Sequence, residues 1–267
     1  MGKLFVWGIY DLFDQNGLLA WIFARNGITP GQTAAAVLIG AGILLCVLIS
    51  YLLGSINFAL VVSKLFYHDD VRNHGSGNAG ATNITRTYGK KAGLLTFFGD
   101  GLKGVVSILI ACLIFGNLLP HLVTVCYLSA FICILGHVFP CFSHFRGGKG
   151  FATTALCVLV LNPIIFAILA VIFFALVAGT RYVSLGSVVT VLFYPVLLSS
   201  FDTMFSHYGV SVLFSLLIAA LVTWAHRGNL KRIREGTERK FGESKANAAP
   251  PAEEVHAQNE DDEDENT

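Results

Sequence analysis

The feature that most constrains the fold is a series of apolar runs, each close to the length of a membrane span. Clear runs cover Ala34–Val62, Leu94–Leu119, Leu122–Phe142, Val183–Phe201 and Val210–Ala225. A helix needs about 20 apolar residues to cross the hydrocarbon core of a bilayer. Backbone amides have no water partners there, so spanning segments of this kind form helices. The sequence therefore predicts an all-α, polytopic membrane helix bundle.

Composition supports the same class and suggests how the chain is divided. The chain is 54% hydrophobic and 13% charged, whereas soluble domains average about 45–50% apolar and about 25% charged residues. We predict an integral membrane domain over residues 34–242, preceded by an N-terminal interfacial extension over residues 1–33. Eight of the seventeen acids lie between Glu253 and Glu265. We therefore expect residues 243–267 to form a disordered acidic tail.

The region Phe151–Gly179 decides the predicted number of passes. It is too long for one span and contains Asn162-Pro163, where proline removes an amide donor and disfavours helix in the residue before it. Short basic segments are expected to share the cytoplasmic side, and two passes that turn at Pro163 place all of them on one side. We predict seven transmembrane helices, with the N-terminus outside and the C-terminus cytoplasmic. Phe151–Leu161 is shorter than a full span, so a tilted or half-inserted helix is an alternative.

The distribution of charge predicts an anionic ligand. Residues 1–242 carry seventeen basic and eight acidic side chains, a net charge of +9, and most of the basic residues fall in short segments between apolar runs. A membrane protein with such connections is suited to small anions. We expect no nucleic-acid partner, and the sequence predicts neither a metal site nor a cofactor.

The most informative connection is His74–Arg86, here called the first loop, with the sequence HGSGNAGATNITR. Its three glycines permit positive φ and a close approach of the main chain to a ligand, so its amides can surround an anion. The segment lacks the GxxxxGK[ST] pattern of a Walker A loop. It resembles a phosphate cradle, and a flexible connector is the alternative. Ser76, Asn78, Asn83 and Arg86 favour the cradle.

Two further connections carry cations beside glycine or polar residues. In the second loop, Arg146–Gly150, glycines precede the helix predicted from Phe151, so amides and helix dipole both suit a phosphate. Membrane anchoring by positive charge is the alternative. The third loop, His226–Glu238, is rich in cations typical of a stop-transfer segment. Anchoring does not explain His226, Asn229 and Glu238, and a histidine here is able to titrate near neutral pH.

Ionisable residues also lie within or beside the spans. Asp100 and Lys103 are one helical turn apart, and charges in a span normally face the protein interior and serve a function. Their spacing leaves a structural ion pair and a ligand site equally open. Arg181 and Ser184 add a cation and a hydroxyl at the entrance of the next span.

Several segments, in this order, resemble the bacterial acyl-phosphate:glycerol-3-phosphate acyltransferases, the PlsY family. The resemblance extends from about Tyr51 to Lys240 and includes the step from Asp100 to Lys103. Its other segments are YLLGSINFAL, HGSGNAGATNITRTYGKKAG, GHVFPCFSHFRGGKGFATT, RYVSLGS and HRGNLKRIREGTE. The chain departs from the family in both termini, in Asn57 where proline is usual, and in Arg146 where lysine is usual.

The resemblance implies an enzyme that transfers an acyl group from acyl phosphate to the 1-hydroxyl of sn-glycerol 3-phosphate. The product would be lysophosphatidic acid, formed in the first step of bacterial phospholipid synthesis. The resemblance further implies a multi-pass protein of the bacterial plasma (inner) membrane, in contact with membrane lipid, with its active site on the cytoplasmic side. The soluble PlsX enzyme would supply the acyl phosphate and is a candidate for transient contact.

The resemblance also implies roles for individual residues. Catalytic roles fall to Ser76, His226 and Asn229, while Asp100 and Glu238 would support the site. Substrate-binding roles fall to Gly77, Asn78, Gly80, Asn83, Arg86, Lys103, Arg146, Gly147, Gly148, Lys149, Gly150, Arg181 and Ser184.

Two aspects of the chemistry stay open from the sequence. Direct attack by the glycerol hydroxyl is favoured, with its proton passing to His226 or to a phosphate oxygen of a substrate. Alternatively, Ser76 forms an acyl-enzyme, although the sequence shows no histidine–carboxylate pair beside it.

A transporter or channel for a phosphorylated solute is the rival function, but no inverted repeat is visible in the sequence. An alcohol phosphotransferase with cytidine diphosphate donors is disfavoured because Asp100 alone is available in the spans.

Overall fold

The computed structural model describes residues 17–29, 31–116, 122–205 and 209–243. Within these ranges the regular structure is helical, with no strand. The predicted acidic tail beyond Glu243 and residues 1–16 of the N-terminal extension lie outside the described residues. The α-helices are α1 (Leu18–Asn26), α2 (Thr33–Ser55), α3 (Phe58–Tyr67), α4 (Ala81–Tyr88), α5 (Lys90–Phe115), α6 (Leu122–Val138), α7 (Phe151–Leu161), α8 (Pro163–Thr180), α9 (Val183–Phe205), α10 (Gly209–Ala225) and α11 (Arg227–Arg234).

Five described helices, α2, α5, α6, α8 and α9, are long and apolar enough to cross a membrane. A sixth span arises if α10 and α11, which are bent by 54° at His226, count as one. Helices α3 and α7 are apolar but shorter than a span. The prediction of a polytopic helical membrane protein is confirmed.

The prediction of one continuous span over Ala34–Val62 is wrong, because α2 ends at Ser55 and α3 begins at Phe58. Asn57 lies between them, and its side-chain oxygen accepts a hydrogen bond from the backbone N–H of Leu60 at 3.1 Å. This is the N-cap interaction that satisfies an otherwise unpaired amide at a helix start. Asn57 therefore caps the start of α3 after the break.

The predicted break at Asn162-Pro163 is confirmed. Helix α7 ends at Leu161, and Pro163 is the first residue of α8, the position where its missing N–H costs least. The side-chain amide of Asn162 donates to the hydroxyls of Tyr127 at 2.6 Å and Tyr194 at 3.1 Å. These bonds satisfy a buried amide between two apolar helices, as burial of a polar group requires.

The bundle core lies between α2, α5, α6, α7 and α9. Helices α2 and α6 approach closely at Gly54 and Gly136, where an added β-carbon would overlap the backbone of the other helix. Small residues at such crossings let membrane helices pack by close van der Waals contact. Helix α8 is peripheral: Val171 is 69% exposed and Phe174 is 68% exposed. In a membrane protein this apolar face is suited to lipid.

Helix α1 is the described part of the N-terminal extension. It packs against α2 and α5 through the buried side chains of Leu19 and Phe23, while Trp21 is about half exposed. An apolar inner side with an exposed tryptophan suits a helix at the membrane interface.

Candidate active site

The first loop is held in shape by the buried side chain of Asn83 on α4. Its oxygen accepts from the backbone N–H of Ser76 at 3.0 Å, and its nitrogen donates to the carbonyls of Val71 at 3.1 Å and His74 at 2.9 Å. Gly75 and Gly77 adopt φ values of 62° and 67°, which a residue with a β-carbon rarely adopts. The part of the segment from Ala81 is helical and not loop, because α4 begins there.

The second loop folds onto the end of α6. The N–H of Gly148 donates to the carbonyl of His137 at 3.2 Å, and a β-carbon at Gly147 or Gly148 would overlap His137. Gly150 has φ 80° and immediately precedes α7. Close packing and a positive φ therefore explain the three glycines, and the loop brings Lys149 to the start of α7.

The third segment is mostly helix, not loop, because α11 spans Arg227–Arg234. His226 lies at the bend between α10 and α11 and is 4% exposed. Its Nδ1 lies 2.8 Å from the carbonyl oxygen of Val222, which only accepts, so Nδ1 carries the hydrogen in the neutral ring. The Nε2 atom of His226 is then left with an available lone pair.

Glu238 connects the third segment to the rest of the site. Its Oε1 accepts from Ser184 at 2.8 Å and from Asn229 at 2.6 Å, and its Oε2 accepts from Arg232 at 2.8 Å. Burial raises the pKa of Glu238, but these three hydrogen bonds outweigh burial and lower the pKa below its usual value. Lys149 Nζ in turn donates to Asn229 Oδ1. Glu238 is therefore an ionised anchor among cations and donors.

Two adjoining cavities, of about 110 and 290 Å³, lie where α6 and α10 end and α7 and α9 begin. Ser76, Asn78, Lys149 and Asn229 line both cavities. The other predicted site residues that line one of them are Gly77, Gly80, Asn83, Arg86, Asp100, Gly150, Ser184, His226 and Glu238. Residues from all three predicted loops thus surround one polar space.

Burial lowers the pKa values of Lys149 and His226. Burial, reinforced by the nearby guanidinium groups of Arg232 and Arg86, lowers the pKa of Lys149 to about 8 despite the opposing effect of Glu238. Burial and the neighbouring Lys149 lower the pKa of His226 to about 4. At neutral pH the site therefore holds a cationic Lys149 and a neutral His226.

Five predicted site residues lie outside the linings of the two cavities: Lys103, Arg146, Gly147, Gly148 and Arg181. Arg146 is exposed. The guanidinium of Arg181 donates to the carbonyl of Phe241 at 3.0 and 3.2 Å, which ties α8 to the C-terminal segment. Lys103 is buried, and its ammonium is bound by protein atoms.

His137 and Arg232 take part in the site but were not among the predicted site residues. His137 lines the smaller cavity and lies 3.3 Å from Asp100. Arg232 lines the larger cavity and pairs with Glu238. The sequence does contain a sign of the role of His137, because it is an ionisable residue in an otherwise apolar span, where such residues usually serve a function. Arg232 has no such signal, since it lies among cations typical of membrane anchoring.

The fold and site define an integral membrane protein whose cationic and glycine-rich connections meet around a polar cavity. The family model for glycerol-3-phosphate acyltransferase matches residues 44–236. A glycerol-3-phosphate acyltransferase of Bacillus cereus is 43% identical over 198 residues, covering 74% of this chain and 94% of the relative. One of Clostridioides difficile is 41% identical over 199 residues, with the same coverage.

Crystal structures of PlsY (YgiH), an integral membrane glycerol 3-phosphate acyltransferase, are also similar. Its glycerol 3-phosphate form has a TM-score of 0.68 and 37% identity, covering 75% of this chain and 96% of PlsY. Its lysophosphatidic acid form has a TM-score of 0.66 and 35% identity, covering 75% and 95%. This chain belongs to the glycerol-3-phosphate acyltransferase (PlsY) family and is an acyltransferase.

Proposed function

We propose that this enzyme transfers an acyl group from acyl phosphate to the 1-hydroxyl of glycerol 3-phosphate. The hydroxyl oxygen attacks the acyl carbon, the bond between that carbon and the phosphate oxygen breaks, and inorganic phosphate leaves. The hydroxyl proton passes to Nε2 of His226 or to a phosphate oxygen of a substrate. The product is lysophosphatidic acid. Since acyl phosphate has a good leaving group, positioning and charge neutralisation are the main requirements.

The observation that carries this proposal is that Ser76, Lys149 and His226, from three separate connections, line the same cavity. A second cavity shares Ser76 and Lys149 with the first. Two adjoining spaces with shared donors suit two phosphorylated substrates whose reacting atoms meet at the shared wall. The glycerol 3-phosphate and lysophosphatidic acid forms of the similar PlsY structure support this choice of acceptor and product.

The proposed donor is tested with purified protein, glycerol 3-phosphate and palmitoyl phosphate, with palmitoyl-CoA as the control donor. We expect lysophosphatidic acid and inorganic phosphate to form in equal amounts from palmitoyl phosphate only. Equal or greater activity with palmitoyl-CoA would show that the donor assignment is wrong.

We assign Ser76 to phosphate binding, with transfer proceeding directly between the substrates. Asn83 accepts a hydrogen bond from the N–H of Ser76 and so fixes Ser76 in the wall of both cavities. Among the described residues no histidine is hydrogen-bonded to Ser76. Incubation with radiolabelled acyl phosphate alone tests the alternative. A covalent adduct that forms on the wild type and is lost in Ser76→Ala would establish an acyl-enzyme instead.

We further propose the remaining cationic residues as acceptor ligands and a seven-pass topology. Arg146 and Arg181 extend the positive charge around Lys149 and Ser184. The broken pair α2 and α3 counts as one pass, and the short helix α7 joins α5, α6, α8, α9 and α10 to make seven. The active site then faces the cytoplasm of a bacterial cell, where the inner membrane gives it access to the PlsX product. Binding of PlsX to detergent-solubilised protein, measured by light scattering, tests the contact.

A further inference from the structure

Two buried charges on α5 meet the break between α2 and α3. The Lys103 ammonium donates to the carbonyls of Gly54 at 2.9 Å and Ile56 at 2.6 Å, at the C-terminal end of α2. Asp100 Oδ1 accepts from the backbone N–H of Phe58 at 3.2 Å, the first amide of α3. A cation at a helix C-terminus and an anion at a helix N-terminus both complement the helix dipole. The two residues are thus matched in sign to the ends they contact.

The hydrogens of the Lys103 ammonium are fully used by protein atoms. Lys103 Nζ lies 3.0 Å from Asp100 Oδ1 and 2.9 Å from His137 Nδ1, so four acceptors surround an ammonium with three hydrogens. If Nδ1 of His137 carries a hydrogen toward Asp100, the three hydrogens of Lys103 go to Gly54, Ile56 and Asp100. Lys103 then has no donor left for a substrate phosphate.

Lys103 also balances the charge of Asp100. Asp100 is 1% exposed and lines the smaller cavity, whereas Lys103 is 4% exposed and does not line it. An uncompensated carboxylate in that wall would repel a phosphate. Lys103 neutralises the carboxylate from behind the wall.

The cluster is connected to both phosphate-binding loops. Asn57, within the helix break, donates from its side-chain nitrogen to the carbonyl of Ala79 in the first loop at 3.3 Å. The carbonyl of His137 accepts from the N–H of Gly148 in the second loop, and the imidazole ring packs against Gly148. The break and His137 therefore each contact a loop whose residues line the cavity.

We propose that Asp100 and Lys103 are positioning residues that clamp the two ends of the broken helix and thereby align the first and second loops. This inference rests on the proposed function, because alignment is measured through acyl transfer. It replaces the predicted ligand role of Lys103 with an indirect one. The clamp sets how the two bound substrates face each other, while each loop keeps its own phosphate contacts.

The first test compares Lys103→Met with Ser107→Ala, a matched control. Ser107 is buried one turn further along α5, and its hydroxyl donates to the carbonyl of Lys103 at 2.9 Å. In Lys103→Met we expect kcat to fall about 10- to 100-fold, because small misplacements of reacting groups cost that much. KM for both substrates rises by less than about tenfold, because the Asp100 carboxylate then lacks its counter-charge but neither loop loses a phosphate ligand. Ser107→Ala keeps the wild-type kcat.

Other kinetic results for Lys103→Met would each contradict the positioning role in a different way. A rise of about tenfold or more in KM for one substrate, with kcat unchanged, would make Lys103 a ligand. An unchanged kcat and KM would remove both roles. Helical content and thermal unfolding in detergent are measured on every variant to establish that it is folded.

The double variant Asp100→Asn/Lys103→Met keeps the test decisive if Lys103→Met does not fold. It removes both buried charges at nearly constant shape, and such replacements are often neutral or stabilising. We expect a protein that folds, with thermal stability lowered only by the unpaired carbonyls of Gly54 and Ile56, and a kcat that stays about 10- to 100-fold low. Wild-type kcat in this variant overturns the positioning role alone. A wild-type protein that transfers no acyl group from palmitoyl phosphate overturns the proposed function, and the positioning role fails with it.

Discussion

At the residue scale, the charge of Lys149 predicts how acceptor binding depends on pH. Burial lowers the pKa of Lys149 to about 8, so its cation is lost as pH rises through that value. We expect kcat/KM for glycerol 3-phosphate to fall between about pH 7 and pH 9, because this parameter reports the free enzyme. The fall in kcat should occur at higher pH, since a bound phosphate dianion stabilises the cation.

The variant Lys149→Arg is the matched control for this pH dependence, since arginine stays protonated throughout the range. Its kcat/KM should be lower overall, because a guanidinium fits the contact with Asn229 differently. The decline above about pH 8 should be absent. If the decline persists unchanged in Lys149→Arg, another group is responsible for it.

His226 provides a second prediction at this scale. Its Nδ1 is held by the carbonyl of Val222, so Nε2 is the atom available to accept a proton. We expect His226→Gln to lower kcat by about 10²- to 10⁴-fold, as loss of a general base does, with little change in KM. The exposed His144 serves as control, and His144→Asn tolerates the left-handed backbone there. An unchanged kcat in His226→Gln would favour proton transfer to a substrate phosphate.

The residue types of the site could be predicted, but not the use of every donor. The sequence indicated that glycine, asparagine and cationic side chains of the connections come together, and the structure places thirteen of the eighteen predicted residues in the linings of the two cavities. It could not show that the amide of Asn83 is consumed in bracing its own loop. Nor could it show that Lys103 contacts carbonyls some fifty residues earlier in the chain. Such assignments depend on contacts between distant segments, which local patterns do not encode.

At the element scale, the close crossing of α2 and α6 predicts opposite effects at two glycines of α2. A β-carbon at Gly54 would overlap the backbone of Cys133, whereas Gly40 has open space around it. We expect Gly54→Ala to destabilise the protein by about 1–3 kcal/mol through overpacking. Gly40→Ala should be neutral or stabilising by up to about 1 kcal/mol, since alanine favours helix. Thermal unfolding in detergent measures both, and equal midpoints would contradict the crossing.

Helix breaks were predictable only where the cause is local. The break at Asn162-Pro163 is predicted by the missing N–H of proline. The break at Asn57 occurs inside a continuous apolar run, where hydropathy gives no warning. At this break, Lys103 of α5 donates to the carbonyl of Ile56, and Asp100 of α5 accepts from the N–H of Phe58. The helical form of the cationic segment at Arg227–Arg234 was missed for a related reason, because charge count alone does not distinguish loop from helix.

At the scale of the whole molecule, the shared cavity predicts that three connections lie on one side of the membrane. Single cysteines at the exposed positions Asn73, His144 and Gly236, introduced after replacement of the native cysteines, should react together with a membrane-impermeant reagent in inverted vesicles. An N-terminal tag should be accessible from the opposite side if seven passes are correct. Reaction of one position from the other side would refute the shared site, while a tag on the same side would refute only the pass number.

The carboxylate of Glu238 has a consequence for the enzyme before any substrate arrives. With Ser184, Asn229 and Arg232 bonded to it, the cations near Lys149 are held together without a phosphate and do not drift apart through mutual repulsion. An incoming dianion meets an arrangement already assembled, and less reorganisation accompanies binding. When product departs, the resident anion keeps the empty chamber ready for another turnover.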